Sequence, residues 1–231
     1  VNTCFIEVMG ESRTNINIID KVNNHETEIL EIGPVIRDED TGAFMDEFEK
    51  VLKDTSVLVC SGGLPEGIPS NFYRTLIEKA KLFRVKTILD SSGEMLAEGI
   101  KAAPYIVKPN LRELGVYAGK QLNSISDIIA ACKSIINAGA EVVITSMGSQ
   151  GALLVSEEEI LHARVPEVNV VNTIGSGDST VAGCAAGIRR GYSLEKMLRL
   201  GMACAVANTQ FEEIGYISME LVDKFINEIV I

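Results

Sequence analysis

The chain has 231 residues, enough for one large α/β domain with a small appendage and too few for two full domains. Its formal charge of -11, from 21 basic and 32 acidic residues, excludes a general affinity for nucleic acid or anionic membranes. Two histidines, His25 and His162, leave almost no material for a Ser-His-Asp triad or a histidine-rich metal site, and both are expected at the surface.

The first ten residues, VNTCFIEVMG, are apolar enough to be expected as a core strand over 1–10, with the start of the natural chain expected before Val1. From Glu11 to Pro34, Ile16 and Ile18, then Leu30 and Ile32, alternate with polar residues around a turn at Asn23-Asn24. That pattern predicts a separate small β element over 11–36. The remainder, 37–231, is expected to be an α/β core. Its apolar runs SVLVC at 56–60, KTILD at 86–90, PYIVK at 104–108 and EVVITS at 141–146 read as strands buried on both faces. Between them, Tyr73, Leu76, Ile77, Ala80 and Phe83 form one helical stripe, and Ile128, Ile129, Cys132, Ile135 and Ile136 another. GALLVS at 151–156 and EILHARVP at 159–166 predict a hairpin at a sheet edge. Small-residue helices follow through Ala185 and, after Ser193 as N-cap, through Leu198, Ala203 and Val206, with alanine and glycine allowing close packing on the sheet.

No apolar run is long enough to span a bilayer and no signal-like segment opens the sequence, so a soluble protein is expected. Cys4, Cys60, Cys132, Cys184 and Cys204 are odd in number, lack metal-ligand spacing and fall mostly in apolar runs. Free thiols in a reducing cytoplasm fit that pattern.

Alternating strands and helices predict a mostly parallel sheet flanked by helices, and ligands of such sheets bind beyond the carboxyl ends of the strands. The loops there are SGGLPEG, DSSGE, KPNLRE and SMGSQG. A P-loop is absent: around Gly119-Lys120, Leu114 stands at the first glycine position and Gln121 at the hydroxyl position. The dinucleotide fingerprint fails at its sixth position, where Thr180 follows Gly175 and Gly177. A nicotinamide dehydrogenase is therefore a remote alternative. TIGSGDST at 173–180 is, taken alone, an ordinary glycine turn before a helix, with Asp178 favoured by the positive helix end. Read with the loops, GSGD offers consecutive N–H groups to an anion, and a carboxylate beside an anion suits a base that takes a proton from an attacking hydroxyl.

TIGSGDS resembles the GAGDS signature of the pfkB carbohydrate kinase family, which shares the ribokinase-like fold. SGGLPEG resembles its SGSLPxG, KPNLREL its KPNxxEL, SMGSQGALL its S-G-xx-G loop and GESRTNINI its RTN strand, in the same order along nearly the whole chain. The resemblance implies a three-layer α/β/α sandwich with a mostly parallel sheet, plus the remnant of a small β lid. It implies Asp178 as catalytic base and Gly175, Ser176 and Gly177 as an anion hole for the γ-phosphate. Lys108, Asn110, Glu113, Ser146, Gly148, Gly151 and Asn208 would serve ATP, Asn208 near the adenine, and Asn110 and Glu113 would order Mg²⁺ through water. Arg13 would hold the sugar phosphate, with Asn15 and Ser61 beside it.

RTN and SGxLPxG look closest to the branch containing tagatose-6-phosphate kinase and 1-phosphofructokinase. Conversion of tagatose 6-phosphate to the 1,6-bisphosphate is the first expectation and phosphorylation of fructose 1-phosphate the alternative. Gly63 stands where the family has a serine, so one sugar contact is expected to be missing. The family's opening strand, with its sugar-binding Asp, and most of its lid precede the position of Val1. A nucleotide-binding module, inactive through that truncation, is thus a further alternative. A homodimer through the lid is also implied.

Overall fold

Alternating apolar and polar residues favour a strand pair with two unlike faces. In the computed structural model, which describes residues 2–20, 23 and 25–231, β1 (Asn15–Asp20) pairs antiparallel with β2 (His25–Leu30). Ile16 faces Ile29 and Ile18 faces Thr27. The Asn23 N–H and side-chain amide donate to the Asp20 carboxylate at 3.1 and 2.7 Å, starting the turn where it was expected. Asn24, Val1 and the side chain of His25 lie outside the described residues. Residues 2–14 are irregular rather than the strand expected over 1–10, because a strand requires a ladder partner and the described residues supply none there.

Helix α1 (Asp38–Leu52) begins with three acidic residues in its first turn, which complement the positive helix end. Arg37 grips Asp40 with two parallel hydrogen bonds of 3.0 Å and donates its own N–H to the same carboxylate. This helix and the β1–β2 hairpin belong to one compact unit, Val1–Asp54 with Gly63–Ser70; the boundary expected after residue 36 is not where the chain divides. Gly67 explains part of the grouping. A Cβ there would lie 2.1 Å from the Ile36 carbonyl oxygen, and the Ile36 N–H donates to Glu66 O at 2.8 Å, so the two backbones meet without an intervening side chain.

The second unit, Thr55–Gly62 with Asn71–Ile231, is built on a six-stranded sheet whose spatial order equals its chain order. Strands β3 (Val57–Ser61), β4 (Lys86–Asp90), β5 (Ile106–Val107) and β6 (Val142–Ser146) are parallel. β7 (Ala152–Ser156) and β8 (Ile160–Ala163) add the expected antiparallel hairpin at the edge. PYIVK contributes only two strand residues, Ile106 and Val107, although the Lys108 N–H still donates to Leu89 O at 2.9 Å and Tyr105 O accepts from Val142 N–H at 3.0 Å on either side of them.

Both faces of the central strands are covered, but SVLVC is not buried as expected: Val57 and Leu58 are half-buried and Val59 is exposed, β3 being the edge strand of the sheet. Helices α2 (Phe72–Leu82) and α3 (Gly93–Ile100) pack against β4, α4 (Leu111–Ala118) meets β6, and α5 (Ile125–Asn137) covers β6 and β7. Tyr73, Leu76, Ile77 and Ala80 are buried, whereas Phe83 ends the helix 40% exposed. On the opposite face, Ile88, Ile106, Ile144 and Leu154 meet residues of α6 (Ser176–Arg189), α7 (Leu194–Asn208) and α8 (Met219–Glu228). Ser193 caps α7 by accepting the Lys196 N–H. Among the described residues no helix is long and apolar enough to cross a membrane.

The small residues expected to bring helices onto the sheet do so, Ala203 and Ala207 lying in one buried cluster with Ile144 and Leu154, and they also bring α6 onto α7. A Cβ on Gly183 would lie 2.7 Å from Gly201 Cα, and one on Gly201 would lie 2.7 Å from Cys184 Sγ. Because backbone atoms cannot yield, Gly183→Ala is expected to destabilise the protein by about 2 kcal/mol, within the usual range for overpacking. Gly42→Ala, in α1 with nothing within 4 Å of the new Cβ, should stabilise by about 0.5–1 kcal/mol. Urea unfolding midpoints of the two variants decide; equal shifts would contradict the close α6–α7 contact.

Candidate active site

Parallel strands deliver their carboxyl ends to one edge, and the register shows which residues arrive together. Ser61 is the Cα partner of Asp90, Gly62 N–H donates to Asp90 O at 2.9 Å, and Asn110 bridges to Ser146. The Tyr73 hydroxyl donates to Ser61 O at 2.8 Å and the Ser91 hydroxyl to Gly62 O at 2.8 Å, so the loop after β3 is held from two sides.

Lys108 is buried, and its Nζ lies 3.1 Å from Asp90 Oδ1, with side chains 7% and 15% exposed. Burial pushes the Asp90 carboxyl above its usual range; the Lys108 ammonium pulls it back, and Glu113 and Asp178 push it up again. Four charged groups therefore share one field. The ammonium also sits 3.5 Å from where a Gly177 Cβ would be, beside the first turn of α6. Two positive features, the ammonium and the helix end, converge there, which is the electrostatic signature of an anion site.

Gly175 enters α6 in the left-handed region at φ +84°, a conformation that suits glycine, and a Cβ would fall 2.8 Å from Gly215 N. The Ser176 N–H donates back to Thr173 O at 3.2 Å, and its hydroxyl does so at 2.8 Å. This corrects the expected trio of donors. Among the described residues it is the N–H groups of Gly175, Gly177 and Asp178 that have no protein acceptor, while that of Ser176 closes the turn. Asp178, third residue of the helix, has an exposed side chain.

Asn110 and Glu113 form a capping box at the start of α4. Glu113 N–H donates to Asn110 Oδ1 at 2.9 Å and Asn110 N–H to Glu113 Oε2 at 3.0 Å. One carboxylate oxygen, Oε1, remains for another partner. Among the described residues no cluster of three or more His, Cys, Asp or Glu is arranged to hold a metal ion. Such a donor set fits Mg²⁺ that keeps most of its water and is bound through substrate phosphates rather than a protein cage.

Ser146 ends β6, and Gly148 begins the following turn at φ +60° with open space around it. Gly151 has a purely structural reason to be glycine, because a Cβ would lie 1.8 Å from Ala163 O in the neighbouring strand. A cleft of about 710 Å³ beside this turn is lined by Ser149, Gln150, Val165 and Glu167 among others; Lys108, Asn110 and Asp178 do not line it. Asn208, expected near the adenine, is instead fully buried, and its amide bonds to Ile174 O, Ser179 Oγ and Gly215 N. A side chain so enclosed offers no face to a base.

Arg13, whose stem lies beside Gly33, and Asn15, first residue of β1, belong to the first unit; Ser61 and the groups around Asp178 belong to the second. Asp90, Ser91 and Tyr73 were not among the expected site residues. For Asp90 the signal was present: a carboxylate closing a buried apolar strand at the ligand edge. The buried thiols are inert, with Cys60 and Cys184 pushed up to about 12 by burial. His162 is half-buried, its Nε2 2.9 Å from Gln150 O.

Comparison with known proteins shows the family. The profile described as pfkB family carbohydrate kinase matches residues 1–218. The chain is 36% identical over 229 residues to 1-phosphofructokinase of Bacillus subtilis (strain 168), covering 99% of this chain and 74% of that one. It is 34% identical over 232 residues to tagatose-6-phosphate kinase of Staphylococcus epidermidis, again covering 99% and 74%. The structure is similar to that of phosphofructokinase-2 from Escherichia coli, with a TM-score of 0.85 and 30% identity, over 95% of this chain and 71% of that one.

Removing Lys108 leaves Asp90 alone in a poorly solvated place. Lys108→Met is expected to destabilise by about 3 kcal/mol at pH 8, the scale of a broken buried pair. A carboxyl raised in the folded state contributes stability that is present at low pH and lost as pH rises through its folded pKa. Without the ammonium that rise is larger, so the variant's deficit should shrink at pH 5. Urea unfolding at both pH values tests this, and equal deficits would rule out Asp90 as the cause.

Proposed function

We propose, from the premise that the chain belongs to the pfkB family of carbohydrate kinases, that it phosphorylates a ketohexose phosphate with ATP, tagatose 6-phosphate being the first substrate. The observation that carries the reading is the exposed Asp178 carboxylate on a helix turn whose free N–H groups and neighbouring Lys108 favour an anion. Asp178 removes the proton of the attacking hydroxyl. The oxygen forms its bond to the γ-phosphorus as the bond to the bridging oxygen breaks, ADP departs with that electron pair, and the proton remains on the carboxyl until solvent takes it. The Gly175, Gly177 and Asp178 N–H groups hold the equatorial oxygens, and fixed dipoles of this kind need no reorganisation as charge shifts.

Asn110 and Glu113 would hold Mg²⁺ through water, and the ion would neutralise phosphate charge. Arg13 would bind the sugar phosphate through the paired hydrogen bonds a guanidinium offers, with Asn15 and Ser61 in support. The similarity to 1-phosphofructokinase supports fructose 1-phosphate as a second reading. Pairing of two copies through the lid is supported by the half-exposed Ile16, Ile18 and Ile29 on one hairpin face, and a reducing cytoplasm by the free cysteines.

Loss of the base is expected to lower kcat by about 10²- to 10⁴-fold in Asp178→Asn, with ATP affinity retained in calorimetry. A coupled ADP-release assay on tagatose 6-phosphate, fructose 1-phosphate and fructose 6-phosphate measures both the loss and the sugar preference. Full turnover in the variant would refute Asp178 as base.

A further inference from the structure

We propose that Asn208 is a positioning residue that aims the phosphate-binding N–H groups of α6, an inference that rests on the kinase reading above. Its Nδ2 donates to Ile174 O at 2.9 Å, and its Oδ1 accepts from Gly215 N at 3.0 Å and from Ser179 Oγ at 3.2 Å. The side chain is fully buried. A carboxamide has two donor hydrogens and two acceptor sites, so three of four are engaged, and all three partners border the turn from Ile174 to Ser179.

Each bond has a geometric consequence. The Ile174–Gly175 peptide is planar and trans, so fixing the direction of Ile174 C=O fixes the Gly175 N–H in the opposite direction. Ile174 O is also the carbonyl four residues before Asp178, the acceptor Asp178 N–H would use if α6 began one residue earlier. Held by Asn208, that carbonyl is turned away, and the Asp178 N–H stays available. On the other side, Gly215 N–H is drawn against Gly175, where a Cβ would come within 2.8 Å of Gly215 N and 3.2 Å of Asn208 Oδ1. Asn172 extends the same frame, accepting the Ile174 N–H at 3.0 Å and donating to Glu212 O at 3.1 Å. The loops 172–175 and 209–215 are thereby held together around one amide.

Few side chains can do this. Alanine or leucine would leave Ile174 O, Gly215 N–H and the Ser179 hydroxyl without their partner. Aspartate keeps the size and the acceptor but sets a carboxylate oxygen against Ile174 O. The last residue of α7 is brought to this spot by the Gly183–Gly201 contact between α6 and α7, so catalytic geometry is linked to helix packing.

The test uses the full chain with Asn208→Ala and Asn208→Asp. In the ADP-release assay, with rates normalised to the folded fraction, kcat should fall about 10- to 100-fold, as for a small misplacement of transition-state donors. KM for sugar phosphate and for ATP should change less than threefold. Amide NMR should show displaced Gly175 and Gly215 resonances, a readout that needs no turnover. Unchanged kcat with a folded protein, or a raised KM for ATP at unchanged kcat, would overturn the proposal; the latter would make Asn208 a nucleotide contact. Should the alanine variant fail to fold, the isosteric aspartate variant decides. A wild-type chain inactive on every ketose phosphate would refute the kinase reading, and the two amide resonances would then still report whether Asn208 holds the turn.

Discussion

A parallel sheet cannot spread its strand ends: every strand runs the same way, so every following loop rises from the same edge. In this protein the register of β3 with β4, and the bridge that prolongs β5 toward β6, bring Ser61, Asp90, Lys108, Asn110 and Ser146 to that edge from four separate stretches of sequence. The chemistry depends on this constraint more than on any single contact. Without it, Lys108 and Asp90 would be eighteen positions apart in the chain with no reason to meet.

The pairing of Lys108 with Asp90 sets the electrostatic tone. A buried ammonium beside a helix end is unfavourable unless negative charge balances it, and Asp90 supplies that balance within the fold. The balance is partial, because burial still raises the Asp90 carboxyl above its ordinary range. In the proposed reading, a phosphate at the N–H groups of Gly177 and Asp178 would complete the compensation. The exposed Asp178 carboxylate tolerates its position because it is itself in the first helical turn, where the dipole favours it.

Several residues carry two duties, and this shaped what could be read in advance. Asn110 and Glu113 are recognisable by spacing as a capping box and by resemblance as nucleotide residues; the structure shows the former directly and leaves one oxygen for the latter. Gly151 matches a nucleotide-loop glycine, yet its contact with Ala163 O already requires glycine. Ser176 looked equivalent to its neighbours as a backbone donor. It differs because the helix is entered through a turn that closes on Thr173 O, which linear order does not reveal.

By itself, the sequence determined the features that arise from local periodicity and chemistry: the buried strands β4, β5 and β6, the edge hairpin, the apolar stripes of α2 and α5, the glycine turn into α6 and the carboxylate in the first turn of that helix. Those features depend on side-chain pattern and backbone freedom within a few residues, and both are written in the chain. Tertiary structure alone decided that Asp90 pairs with Lys108, that α1 groups with the β1–β2 hairpin, that Gly183 meets Gly201, and that Asn208 faces inward to the turn rather than outward to a ligand. The physical reason is common to all four. Each is a contact between segments far apart in sequence, and its partner is chosen by packing direction, which periodicity leaves open.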